Sequence, residues 1–192
     1  MGAAYNGFRD QYNGLPGDLQ LAQNRLANCA APCNNGDGNG IISVEVGTAP
    51  AIGAGAAGEG TGFFLHMLAA GLITGLDGTN GVAFGQALPT APIGGGFMAG
   101  DLRVAGNSTG FTDANMRPAP YVLINGVAGA VAAGTGVLTA AQAGNIDRRL
   151  DDGIPISGTI HGQTSGANTD CEGAAGVYAG ADDQVCVIAY RL

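Results

Sequence analysis

The chain contains no lysine and no tryptophan, and its 192 residues include only two histidines and three glutamates. Charged residues make up 11% and aromatics 6%, against about 25% charged in an ordinary soluble domain. The surface must therefore be built from Gly, Ala, Asn, Thr and Ser rather than from ion pairs. The only strong bases are seven scattered arginines, and the net charge is −8. Displacing counterions from a phosphate backbone needs a basic track, so nucleic-acid binding is excluded. No apolar run approaches the roughly 20 residues of a membrane helix, because glycines interrupt every candidate. No Gly-x-Ser-x-Gly elbow, His-Glu-x-x-His or Cys/His constellation is present, and Gly94-Gly95-Gly96 lacks the Lys-Ser/Thr of a phosphate loop. The chain reads as a non-enzyme.

What is abundant is turn chemistry. Thirty-six glycines and an acid content dominated by Asp predict long irregular loops between a few regular elements. The length suits one domain, 1–192, with no internal repeat. Met1-Gly2 reads as an expression start. Residues 3–13 read as the remainder of a first helix, with Tyr5, Phe8 and Tyr12 on one face and Gly14 and Pro16 ending it. Asp18 is placed as the N-cap of a short second helix carrying Leu19, Ala22 and Leu26. A third helix is expected from Thr61, with a stripe of Phe64, Leu65, Leu68 and Leu72, and a fourth from Thr139 to about Leu150. Strands are expected at 41–46, 82–84, 97–104, 121–127 and 185–190, with an edge strand or extended arm over 154–160 because Pro155 lies inside it.

Four cysteines fall in two local groups, Cys29/Cys33 and Cys171/Cys186. Three connectivities are possible, and pairing within each group is the expectation, in an oxidising compartment. Cys-x3-Cys without histidine neighbours is a poor zinc pattern.

Two regions could hold a hard cation. Asn35, Asp37 and Asn39 sit at positions 1, 3 and 5 of a calcium-loop pattern, with Gly40 at 6 and the Ile41 carbonyl at 7. Position 12, which should be Glu, is Val46, and Glu45 lies one place early. The plain alternative is an Asn/Gly turn that binds nothing. Asp147, Asp151 and Asp152 cluster at a helix C-terminus, where the dipole disfavours carboxylates. Arg148, Arg149, turn amides or a cation at Asp151 and Asp152 would compensate, and Asp182 and Asp183 could join. His66 reads as an edge-of-core residue and His161 has no partner in sequence.

Three segments carry a family resemblance. Phe8-Arg-Asp-Gln-Tyr-Asn-Gly-Leu-Pro-Gly-Asp18, followed by Ala22, resembles the stretch after the membrane helix in type IV pilins and type II secretion pseudopilins. His66-Met-Leu-Ala-Ala-Gly-Leu-Ile73 resembles a His-Leu-x-x-Ala-Gly-Leu-Ile helix of the same prepilin-type proteins. Asn145-Ile-Asp-Arg-Arg-Leu-Asp-Asp-Gly-Ile-Pro-Ile-Ser-Gly158 resembles their C-terminal Asp-Asp-Gly-x-Pro element. The order is that of the family, but the Gly-Phe-Thr-Leu-Ile-Glu processing site and its apolar helix do not appear.

The resemblance implies an α+β, pilin-like head, with an N-terminal helix packed on an antiparallel sheet, extra short helices and long Gly-rich loops. It implies a structural subunit of a type IV pilus or pseudopilus, assembling with other such subunits through an N-terminal membrane helix and located at the periplasm or cell surface. The alternative is a minor or tip subunit, adhesin-like, whose loops hold a ligand.

Overall fold

The computed structural model describes residues 1–43, 58–79, 81–102, 111, 115–129, 131, 134–162, 171–172, 176–179 and 183–192. The protein is α+β: among the described residues there are four short helices and one four-stranded, wholly antiparallel sheet. The helices are α1 (Gly2–Tyr12), α2 (Ala22–Arg25), α3 (Glu59–Ala69) and α4 (Ala140–Leu150). The strands are β1 (Gly96–Leu102), β2 (Ala119–Asn125), β3 (Ile160–Gly162) and β4 (Ile188–Arg191), in the order β1-β2-β4-β3.

Local chemistry sets most boundaries. Asn13 adopts the left-handed conformation (φ 50°) and closes α1 one residue before the expected Gly14, its N–H returning to the Arg9 carbonyl. Thr139 opens α4 with a full capping box: its hydroxyl accepts the Gln142 N–H and the Gln142 side chain accepts the Thr139 N–H. α3 starts at Glu59, two residues before the expected Thr61.

The sequence expectation fails in three places. Asp18 caps no helix; α2 begins only at Ala22, behind a left-handed Leu21. Residues 154–159 form turns rather than a strand, and pairing starts at Ile160, since Pro155 offers no N–H to a ladder. Residues 82–84 hold only an isolated bridge, Phe84 to Leu88. The strand expected at 41–46 is described only as far as Ser43; its remainder, with Glu45 and Val46, lies outside the described residues.

Two apolar clusters sandwich the sheet. The larger joins α1, α3, β1 and β2 around the fully buried Phe8, Phe63, Phe64, Met67, Met98 and Tyr121. Each such side chain contributes about 1.5–3 kcal/mol on leaving water. Tyr5 and Phe8, one turn apart, fasten α1 to this core, with Tyr5 stacked near Phe63. The smaller cluster lies between α4 and the β3–β4 edge, around Ile124, Leu138, Ala143, Ile160 and Ile188. Disulfides Cys29–Cys33 and Cys171–Cys186 sit one in each cluster. Among the described residues no helix is long and apolar enough to cross a membrane.

Candidate functional site

The most concentrated polar chemistry lies where the 14–18 turn, the 34–43 loop and α3 meet. α3 is buried on all sides through Met67, so its polar residues must find partners inside the protein. Glu59 and His66 stand seven residues apart, two turns along one face. Gly62 lies between them, and a Cβ there would come within 3.4 Å of the Gly17 Cα. This face grips both loops.

His66 is fully buried. Its Nδ1 accepts the Gly17 N–H at 2.9 Å, and its Nε2 lies 2.7 Å from the Asn34 carbonyl oxygen. A carbonyl can only accept, so Nε2 carries the proton and the ring is neutral. Burial lowers the imidazole from 6.5 to about 4, against the opposing effect of the Asn34 carbonyl. The edge-of-core expectation for His66 is thus corrected: the ring is a rivet between two loops.

Glu59, also buried, accepts the Asp37 N–H (3.2 Å) on one oxygen and both the Ser43 N–H (2.9 Å) and the Ser43 hydroxyl (2.6 Å) on the other. Asp18, from the 14–18 turn, binds the same loop. Its Oδ1 accepts the N–H groups of Gly38 (2.7 Å) and Asn39 (3.1 Å), and its Oδ2 accepts that of Gly40 (2.7 Å). The Gly-Asp-Gly-Asn-Gly run therefore works as a nest of amides around a carboxylate of the same chain. Glycine is required by space: a Cβ on Gly36 would fall 2.3 Å from the Asp18 carbonyl carbon, and Gly38 holds φ +73°.

Two side chains of the calcium-loop pattern, Asn35 and Asn39, make contacts within the protein, and Glu45 lies outside the described residues. Asn35 turns away and its side-chain oxygen accepts the Gln23 N–H at the start of α2 (3.0 Å). Asn39 accepts the Ile41 N–H (2.7 Å) and donates its amide to Asp37 (2.9 Å). Among the described members of the predicted set, only Asp37 joins other carboxylates. One oxygen each of Asp18, Asp37 and Glu59 lies within 4.8 Å of the others. Sequence reasoning missed Asp18 and Glu59 as members, although a Glu/His pair at seven-residue spacing on an otherwise apolar helix was a usable signal. Burial raises Asp18 from 3.8 to about 6, helped by repulsion from Glu59 and opposed by the Gly40 and Gly38 amides. Asp18 opens onto a polar cleft of about 590 Å³ that also exposes Asn6, Arg9, Asp10 and Arg25.

The second predicted cluster is built differently. Asp151 accepts the N–H groups of Thr159 and Ile160, and these bonds hold its carboxyl below the usual range against burial, which raises it. Asp152 accepts the Ile154 N–H and the Ser157 hydroxyl. The buried Asp147 accepts the Tyr178 hydroxyl (2.9 Å) and the Gly153 N–H (3.2 Å). Burial raises Asp147, and burial together with Asp147 raises the Tyr178 phenol. The three carboxylates again approach within 4.8 Å. Turn amides thus supply part of the compensation that the helix C-terminus demands. Arg148 instead donates to Asn145. Asp182 lies outside the described residues, and Asp183 is exposed.

No family model, curated protein or solved structure matches this chain.

Proposed function

We propose that this chain is the extracytoplasmic head of a filament subunit of the type IV pilin or type II secretion pseudopilin kind. The observation that carries the reading is that two resembling segments, 48 residues apart at their nearest, interlock. Gly17, from the Leu-Pro-Gly-Asp turn, donates to His66, the first residue of the His-Met-Leu-Ala-Ala-Gly-Leu-Ile helix, and the Phe8 ring lies 6.2 Å from the His66 ring. The segments that suggest the family are thus parts of one packed unit, as a shared structural role requires. Further support comes from α1: Tyr5 and Phe8 anchor it, while Met1 and Gly2 stand at the rim of an apolar groove of about 440 Å³ on the sheet face. Val122, Ile124, Ile188, Tyr190 and Leu150 line that groove. A surface of this kind suits a helix-mediated assembly. The two disulfides fit an extracytoplasmic location. In this reading the protein is a building element rather than an enzyme, and its partners are other pilin-type subunits and, before assembly, the inner membrane. The test is to shear filaments from the native cells and probe them with antibody to this chain. Labelled filaments are expected; the chain found solely as a monomeric periplasmic species would end the reading.

A second reading concerns the carboxylates. Asp18, Asp37 and Glu59 gather three acids with one oxygen apiece inside 4.8 Å, an oxygen-rich set of the kind calcium takes. Bound calcium would offset the burial and the Glu59 repulsion that raise Asp18, and would compete with its proton. Thermal unfolding in millimolar calcium and in chelator should then differ by several degrees at pH 7, and Asp37→Asn should remove the difference. Superimposable curves would exclude the site.

A further inference from the structure

Asn39 is one of six asparagines followed directly by glycine, with Asn6, Asn13, Asn35, Asn80 and Asn125. In such a pair, attack of the glycine nitrogen on the side-chain amide carbon closes a five-membered ring, and no Cβ on the glycine hinders it. The reaction is helped by a base for the N–H proton, a donor for the developing oxyanion and an amide held in one orientation.

The 34–43 loop brings all three to Asn39. The Gly40 N–H donates to Asp18 Oδ2 at 2.7 Å, so the attacking nitrogen already faces a carboxylate. Asn39 Oδ1 accepts the Ile41 N–H at 2.7 Å, so the oxygen that takes up negative charge already faces a donor. Asn39 Nδ2 donates to Asp37 Oδ2 at 2.9 Å, which fixes the leaving nitrogen on the other side of the amide. Asn39 and Gly40 are exposed, so water reaches the product. The other pairs are built differently. Asn6 lies inside α1, and Gly36 and Asn125 are buried. The N–H groups of Gly36 and Gly126 donate to the Leu19 and Thr135 carbonyls, which are no bases.

We propose that Asn39-Gly40 is a self-modification site, at which Asp18 as base and the Ile41 N–H as oxyanion donor drive closure of a succinimide and loss of the Asn39 amide. The Gly40 nitrogen bonds to Asn39 Cγ and gives its proton to Asp18. The tetrahedral adduct then breaks the Cγ–Nδ2 bond, and the nitrogen takes a proton from water and leaves as ammonia. Water opens the imide at either carbonyl and leaves aspartate or isoaspartate at position 39. A new carboxylate then stands beside Asp37 where an amide had donated to it, so the loop that Asp18, Glu59 and His66 hold is altered once and irreversibly. The site stands whether or not the filament and calcium readings hold.

The experiment holds the 192-residue chain at neutral pH, folded and in parallel unfolded in urea, and follows the Asn-Gly pairs by peptide mapping. Chelator is present so that no cation occupies the carboxylates. Asn39 should lose its amide at least about tenfold faster in the folded chain than in the unfolded one, short of the full effect of a positioned base because the fold also restricts the loop. Asn13, exposed at the end of α1, should show no such gain. Asp18→Asn removes the base but keeps an acceptor for the loop amides, and should slow the loss at Asn39 about tenfold. A merely structural Asp18 predicts the reverse, because a loosened loop reacts faster. An unchanged or faster rate in Asp18→Asn would overturn the proposal, as would a folded rate at Asn39 no higher than the unfolded one or a gain matched by Asn13. Should circular dichroism show that Asp18→Asn does not fold, the comparison of folded with unfolded chain decides alone.

Discussion

Asp18 and His66 should make the pH dependence of stability a contest between two buried groups of opposite tendency. Asp18 is raised from 3.8 to about 6 in the folded protein, chiefly by burial and then by Glu59. Its stabilising contribution is complete below pH 3.8 and is lost as pH rises through 6. His66 is lowered from 6.5 to about 4 by burial. Its contribution is complete above pH 6.5 and is lost as pH falls through 4. At 1.36 kcal/mol per pKa unit each is worth about 3 kcal/mol, with opposite sign, so between pH 4 and pH 7 the pair nearly cancels. Asp18→Asn exposes the contest. The amide oxygen can keep the Gly38 and Asn39 bonds, but its NH₂ then faces the Gly40 N–H, a pH-independent cost of about 2 kcal/mol. With Asp18 no longer titrating, His66 acts unopposed. The difference in unfolding free energy between variant and wild type should therefore shift in the variant's favour by about 3 kcal/mol from pH 4 to pH 7. Urea denaturation at pH 4, 5, 6 and 7 measures it by linear extrapolation. A difference constant within about 1 kcal/mol would refute the reasoning. So would a variant penalty that grows toward pH 7, since the three amides would then outweigh burial and Glu59.

Gly17 holds φ +89°, and a Cβ there would lie 2.3 Å from the Glu59 carbonyl oxygen, so Gly17→Ala should cost more than about 3 kcal/mol in urea denaturation. Gly75 has the same φ in open space, and Gly75→Ala should cost only about 1 kcal/mol; equal losses would show that contact is not the cause. Tyr178→Phe removes a hydroxyl that lowers Asp147, so Asp147 rises further and the variant should lose more stability at pH 8 than at pH 4; a pH-independent loss would argue against the pairing. Replacing Cys171 and Cys186 by serine opens a link across 15 residues and should cost about 3 kcal/mol, against about 2 kcal/mol for Cys29 and Cys33 across 4, by paired thermal melts.

Much of the secondary structure could be read from local signals, because those signals act within a few residues. Thr139 with Gln142 is such a signal, as is the one-turn spacing of Tyr5 and Phe8. The α+β class and the small-residue loops follow similarly from composition. The candidate site was half legible. Asp37 was picked from its glycine-flanked run, but the three-residue alternation of side-chain oxygens proved to serve Asx turns and a helix start. Asp18 illustrates why: an aspartate can accept N–H groups from the helix that follows it or from a loop twenty residues on, and both choices look alike in sequence. Glu59 and His66 acquire their roles from a burial of α3 that depends on the whole core. The expectation of an edge strand or extended arm at 154–160 allowed for Pro155 but not for the turn in which Asp151 and Asp152 bind the 154–160 amides.

The absence of lysine returns as a structural rule. Buried or half-buried carboxylates normally call for cations, but three of the described arginines serve other groups. Arg25 donates to the Tyr12 carbonyl, Arg148 to the Asn145 side chain, and Arg9 lies 5.4 Å over the Tyr5 ring. The carboxylates are compensated instead by backbone N–H groups: three on Asp18, two on Asp151, two on Glu59 and one on Asp147. An amide nest needs close, unobstructed backbone, which explains why glycine crowds around Asp18 and Asp147. It also fixes loop geometry more tightly than an exposed ion pair, because the donors belong to the chain being ordered rather than to a mobile side chain. The buried Asp18, Glu59 and Asp147 thus take backbone N–H groups as partners, while Arg9, Asp10, Asp77, Asp152 and Asp183 stay at the surface, so the amide nests answer for the interior carboxylates of a chain that has no lysine.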